Sequence, residues 1–131
     1  MTKRTNFASG APWESVVGYS RAVRIGNIVE VTGTVASQDG KVVGENNMYE
    51  QARYALQKIG DVLAEAGATY ADVVRTRMFV TDISRWEEAG RAHGEVFGQI
   101  RPCTTMVEVS ALIAPEYMIE IEATAYIPDP H

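Results

Sequence analysis

The chain has 131 residues with 12 Lys+Arg against 17 Asp+Glu, a formal charge of −5, and 46% of its residues are hydrophobic. That is enough chain for one globular domain, residues 1–131, around a single core, and too little for two. The acidic balance excludes a protein built mainly to neutralise phosphate backbones, the lone Cys103 excludes an internal disulfide or a zinc cluster, and no apolar run approaches the ~20 residues that span a bilayer.

At the start, Met1 to Asn6 is basic but has no apolar stretch behind it, so no secretory signal is expected and the predicted location is cytoplasmic. Val16 to Arg24 and Ile28 to Ala36 are β-rich runs joined at Gly26-Asn27, the pattern of a hairpin. Gln38-Asp39-Gly40-Lys41 predicts a second turn. Asn47, with Glu50 three positions on, predicts the capped start of a helix. Its apolar positions Ala52, Ala55, Leu56, Ile59, Val62, Leu63 and Ala66 share one face, and Gly67 supplies the stop. Gly60 inside it weakens the helix by about 1 kcal/mol.

Asp72 to Thr81 predicts a strand with Val74, Met78 and Val80 on one face and Val73, Arg75, Arg77 and Phe79 on the other. Ser84 with Glu87 predicts a capping box for a second helix, whose inward stripe is Trp86, Ala89, His93, Val96 and Phe97 and whose end is Gly98. Thr104 to Val109 and Met118 to Ile127 both alternate, predicting a closing antiparallel pair joined by a loop that holds Pro115. The order β-β-α-β-α-β-β is that of an α+β domain. Its two helices cover one face of a sheet of about five strands, leaving the other to water or a partner. On the last strand Ile119, Ile121, Ala123, Ala125 and Ile127 face one way, and Met118, Glu120, Glu122, Thr124 and Tyr126 the other. The second, mixed face suits a subunit interface with polar clefts and predicts a homo-oligomer.

The common phosphate-loop, nucleophile-elbow and zinc-helix patterns are absent from the sequence, and two histidines, His93 and His131, are too few for a multi-histidine metal site. His93 lies on an apolar stripe and is expected to pack; Cys103 is expected to be a small buried hydrophobe. The carboxylates carry more chemistry. Glu120 and Glu122 share a strand face, and Glu108 approaches them if the last two strands pair. Like charges held close raise at least one pKa, and such a carboxyl can move a proton or hold a water, as hydrolytic deamination requires. The same residues could instead be solvated, or paired with Arg75, Arg77 and Arg101.

The segment Arg101-Pro102-Cys103-Thr104-Thr105-Met106-Val107-Glu108-Val109, followed by Ile119-Glu120-Ile121-Glu122-Ala123, resembles the signature of the RidA/YjgF family. Gly18-Tyr19, Ile25-Gly26-Asn27, Thr32-Gly33-Thr34, Gln51-Ala52, Ala66-Gly67, Asp72-Val73-Val74 and Phe79-Val80-Thr81-Asp82 look like family positions in family order, so the resemblance covers nearly the whole chain. It implies a chorismate-mutase-like α+β subunit, a homotrimer with small-molecule clefts between subunits, and the cofactor-independent hydrolysis of enamines or imines to a carbonyl compound and ammonia. It further implies that Glu120 is the catalytic carboxyl and that Tyr19 and Gly33 line the cleft. The deaminase motif carries an arginine after its Pro-small pair, to clamp a substrate carboxylate; here Thr104 follows Pro102-Cys103. Three readings stay open: Arg101, Arg75 or Arg77 replaces the clamp; the substrate differs, with Thr104 and Thr105 as neutral hydrogen-bonding contacts; or the protein is a non-catalytic binding module of the same shape.

Overall fold

Two helices lie over one face of a six-stranded mixed sheet in the computed structural model, which describes residues 3–129. The strands are β1 (Arg4–Phe7), β2 (Ala22–Ile25), β3 (Ile28–Thr34), a small separate hairpin of β4 (Ser37–Gln38) and β5 (Lys41–Val42), then β6 (Val73–Val80), β7 (Cys103–Glu108) and β8 (Ile119–Tyr126). Helix α1 (Met48–Glu65) precedes β6, and α2 (Trp86–Phe97) separates β6 from β7. The sheet order is β1-β2-β3-β8-β6-β7.

The predicted hairpin is present, with Ile25 opposite Ile28 across Gly26-Asn27. Its first strand is shorter than expected. Glu14–Gly18 is a π-helical turn, closed by Tyr19 N donating to Glu14 O at 3.0 Å. The β-preference of Val16 and Val17 is overridden because Glu14 accepts from Ser9 N and Ser9 Oγ and pins the segment, leaving both valines exposed. β1, which the sequence reading leaves out, pairs antiparallel with β2 and completes that edge.

Asn47 caps α1 by accepting from Glu50 N at 3.0 Å, and the predicted apolar face is buried, Ala66 included. Gly67 takes a φ of +87°, the left-handed conformation that ends the helix. Gln51 adds a polar staple to this face: Nε2 donates to Gly44 O and Glu116 O, and Oε1 accepts from Met118 N. It ties the approach to β8 onto the helix layer.

Several expectations need correction. β7 and β8 are not neighbours: α2 carries the chain back so that β7 runs parallel to β6, and β8 enters between β3 and β6, antiparallel to both. Glu108 therefore lies two strands from β8 and accepts instead from Ile83 N at 3.0 Å. An irregularity between Val73 and Arg75 turns Val73 into the core and leaves Val74 exposed, inverting that pair. Asp82, not Ser84 with Glu87, caps the turn before α2, by accepting from Ser84 N and Ser84 Oγ. Trp86 is exposed, while Ala89, Ala92, His93 and Phe97 make the buried stripe. Cys103 is exposed on the edge strand.

Alternation along β8 is as expected: Ile119, Ile121, Ala123 and Ala125 are buried beneath the helices, and Glu120, Glu122 and Thr124 occupy the uncovered face. No helix among the described residues is long and apolar enough to cross a membrane.

Candidate functional site

The site is built where β3 breaks its register. Between Val31 and Thr34 the pairing with β8 shifts, so Thr32 and Gly33 bulge opposite Glu122. Thr34 Oγ1 donates to Thr32 O at 2.8 Å and holds the irregularity from within. At the bulge the missing side chain of Gly33 leaves room for Glu120: a β-carbon there would overlap the carboxylate. The backbone of Gly33 is gripped from another side as well, because Arg21 Nη2 donates to Gly33 O at 3.0 Å. Arg21 is set by main-chain bonds in the sheet, its N donating to Phe7 O at 2.7 Å and its O accepting from Thr32 N at 3.1 Å.

Two neighbouring glutamates on β8 have different fates. Glu122 pairs with Arg77 at 3.3 Å. Glu120 has no such partner among the described residues: burial pushes its carboxyl above the usual range, the Glu122 charge adds to that, and Arg21 opposes it. A carboxyl with this bias keeps a larger protonated fraction near neutral pH than a solvated glutamate, which suits it to exchange a proton with a bound molecule.

Tyr19, half-buried after the π-helical turn, lies with Glu14 and Glu120 in the electrostatic surroundings of Arg21. The adjoining groove has a volume of about 640 Å³ and is lined by Tyr19, Glu14, Glu30, Thr32 and Glu122 among others. Of the three residues that the resemblance implies, Gly33 and Glu120 are in contact and Tyr19 lines the adjoining groove. Arg21 is the residue the sequence reading missed. Its one signal was alternation with the buried Ala22, which puts it on the opposite face.

The remaining predicted residues stand elsewhere in the subunit. Thr104 is opposite Thr76, on the helix-side face, and Thr76 Oγ1 donates to Thr104 Oγ1 at 2.7 Å. Thr76 Oγ1 is also hydrogen-bonded to His93 Nε2 at 2.8 Å, and the His93 and Phe97 rings pack with centroids 4.7 Å apart, as expected of a structural histidine. Thr105 points to the other face, where Arg75 Nη1 donates to it at 3.3 Å. Arg101 is exposed and donates to Gly98 O at 3.2 Å. Within one subunit, then, Thr104 and Thr105 face apart, and β6 lies between their strand and Glu120. His131 lies outside the described residues. Among those described, no group of three or more His, Cys, Asp and Glu side chains is arranged to hold a metal ion.

The family model described as Endoribonuclease L-PSP matches residues 9–127. The crystal structure of a Mycobacterium tuberculosis member of the YjgF/YER057c/UK114 family is similar with a TM-score of 0.87 and 56% identity, over 95% of this chain and 100% of that one. An uncharacterized protein of Streptomyces coelicolor is 36% identical over 90% of this chain and 88% of its own. The 3-aminoacrylate deaminase RutC of Acinetobacter baylyi is 28% identical over 97% of this chain and 100% of its own. With its α+β architecture and its sequence in agreement, the chain belongs to the RidA/YjgF (L-PSP) family, whose members include enamine and imine deaminases.

Proposed function

We propose that this protein hydrolyses small imines or enamines to a carbonyl compound and ammonia, in a cleft completed by a second subunit of a homotrimer. The observation that carries the reading is Glu120: a half-buried carboxyl of raised pKa, without an ion-pair partner among the described residues, seated on a glycine that leaves it room. In its protonated form the carboxyl gives a proton to the imine nitrogen and makes the carbon electrophilic. The resulting carboxylate then takes a proton from water as the water oxygen bonds to that carbon, giving a carbinolamine. Return of a proton to nitrogen releases ammonia as the C–O π bond forms, and the carbinolamine hydroxyl proton restores the carboxyl. Tyr19 contributes a hydroxyl to the cleft wall and Gly33 close backbone approach.

The trimer is supported by the uncovered sheet face and by exposed Trp13, Val16 and Val17, an apolar knob at 55%, 79% and 71% exposure beside the groove. In such an assembly a residue of the β7 edge, Thr104 or Thr105, reaches the ligand only from a neighbouring copy, because β6 separates β7 from Glu120 within one subunit. Thr104 stands where the deaminase motif has arginine. A neutral hydroxyl bond contributes about 0.5–1.5 kcal/mol, roughly half of a charge-assisted one, so Thr104 by itself does not supply the grip on a substrate carboxylate that an arginine there would. A net charge of −5 argues against RNA as the substrate despite the family model's description.

The experiment is ammonia release from freshly generated 2-aminoacrylate and from neutral imines, for wild type, Glu120→Ala and Thr104→Arg. Wild type exceeds buffer on at least one imine and Glu120→Ala does not. If none of the three exceeds buffer on any imine, the hydrolase reading fails and a non-catalytic trimeric binding module of the same fold takes its place.

A further inference from the structure

Six cations bear on the question of what holds a ligand near Glu120, and five are already committed within the chain. Arg75 donates to Thr105 Oγ1, Arg77 pairs with Glu122, and Arg101 donates to Gly98 O. Arg24 donates to Ala66 O and Gly26 O, and Lys58 Nζ donates to Val35 O, Ser37 O and Ser37 Oγ. Arg21 is likewise bonded to one acceptor, and what sets it apart is the state of its remaining donors. A guanidinium has five N–H donors, and its only bond to another described residue is the one from Nη2 to Gly33 O.

Its Nε is sealed from solvent with no acceptor, the single buried side-chain nitrogen or oxygen left unpaired among the described residues. Nη1 also lacks a protein partner and keeps solvent contact. Nearby carboxylates do not neutralise it by direct contact: Glu14 is turned to Ser9, and Glu120 sits against the α-carbon of Gly33. A half-buried, under-bonded cation costs folding free energy, since an unpaired charge loses hydration and gains nothing in return. Burial lowers the Arg21 pKa even though Tyr19, Glu14 and Glu120 oppose it, so desolvation outweighs the help those groups supply. The arrangement has the character of a site awaiting an anion: Arg21 holds the carbonyl of Gly33, Glu120 fills the place of its β-carbon, and each lies within the other's electrostatic reach.

We propose that Arg21 is the anion-recognising residue of the Glu120 site, so that the ligands are small imines, and their carbonyl products, that carry a carboxylate. The inference rests on the imine-hydrolase reading for the reaction and stands apart from it for binding. The carboxylate meets the open Nη edge of the guanidinium first; a side-on grip that includes Nε follows if the side chain turns outward, which gives the buried donor the acceptor it lacks. The clamp thereby comes from Arg21, the residue just before β2, and Thr104 is free to be a threonine.

The test is titration of pyruvate and of its neutral isostere pyruvamide into the assembled protein, followed by NMR, for wild type, Arg21→Gln, Arg21→Lys and Glu120→Gln. Wild type binds pyruvate at least tenfold more tightly than pyruvamide. Arg21→Gln loses that preference, its affinity for pyruvate falling at least tenfold further than its affinity for pyruvamide, Arg21→Lys keeps part of it, and Glu120→Gln retains it. A merely structural arginine weakens both ligands together. Absence of a preference in wild type, or the same preference in Arg21→Gln, overturns the proposal. Turnover is scored separately: a protein that prefers pyruvate through Arg21 yet hydrolyses no imine supports the anion site and removes the reaction.

Discussion

Gly33 and Glu120 share one volume: the carboxylate of the glutamate occupies the space that a β-carbon on the glycine would need. The clash in Gly33→Ala falls on the end of a flexible side chain, so the fold absorbs it by moving Glu120. The expected outcome is a folded protein of nearly unchanged Tm whose imine hydrolysis drops about 100-fold, the size of effect that a displacement near 1 Å produces on positioned groups. Thermal melts alongside steady-state rates check it, and unchanged turnover contradicts it.

Glu120 also costs stability at neutral pH. Its folded-state pKa is raised by burial, then by Glu122, so its favourable contribution is present below the unfolded value near 4.3 and is lost as pH rises through the folded one. Glu120→Gln removes the ionised form. The variant is therefore expected to melt higher than wild type at pH 7.5, with the gap closing as pH falls towards 4. A gap that is constant across that range contradicts the assignment.

The fold was largely legible in the sequence because periodicity reports burial, and burial is what the layers require. The α1 face from Ala52 to Ala66 and the β8 alternation from Ile119 to Ala125 are both of this kind. What stayed hidden was set by long-range pairing. Alternation in β7 does not say whether its neighbour is β6 or β8, and the placement of Glu108 followed from that. The β-branched Val16-Val17 gave no warning of a turn held by Glu14 and Ser9. Of the site, Tyr19, Gly33 and Glu120 were reached through a family resemblance. Arg21 was missed because its meaning lies in bonds it does not make, which no spacing records.

Gly60 illustrates the same limit. Helix propensity alone makes Gly60→Ala stabilising by about 1 kcal/mol. In the fold a β-carbon at Gly60 would overlap the phenol of Tyr70, whose hydroxyl donates to Leu56 O at 2.7 Å. Overpacking of this kind costs about 1–3 kcal/mol, so Gly60→Ala is expected to lower stability in wild type and to raise it in a Tyr70→Ala background. Urea denaturation of the four proteins checks the sign reversal.

His93 gives a second pH signature, opposite in direction. Burial lowers its pKa, so the neutral ring that bonds Thr76 contributes stability above the unfolded value near 6.5, lost as pH falls through the folded value. Between pH 7.5 and 5 the Tm of wild type should fall more steeply than that of His93→Gln. Parallel curves for the two proteins would show that His93 does not titrate on unfolding.

The most direct measurement is the rate at which a freshly generated imine disappears in the presence of wild type and of Glu120→Gln, both shown to be folded and equally assembled. The account predicts acceleration over buffer by wild type and a loss of about 100-fold or more in Glu120→Gln, the range that a positioned general acid–base contributes. Equal acceleration by both proteins, or none by wild type on any imine, contradicts it.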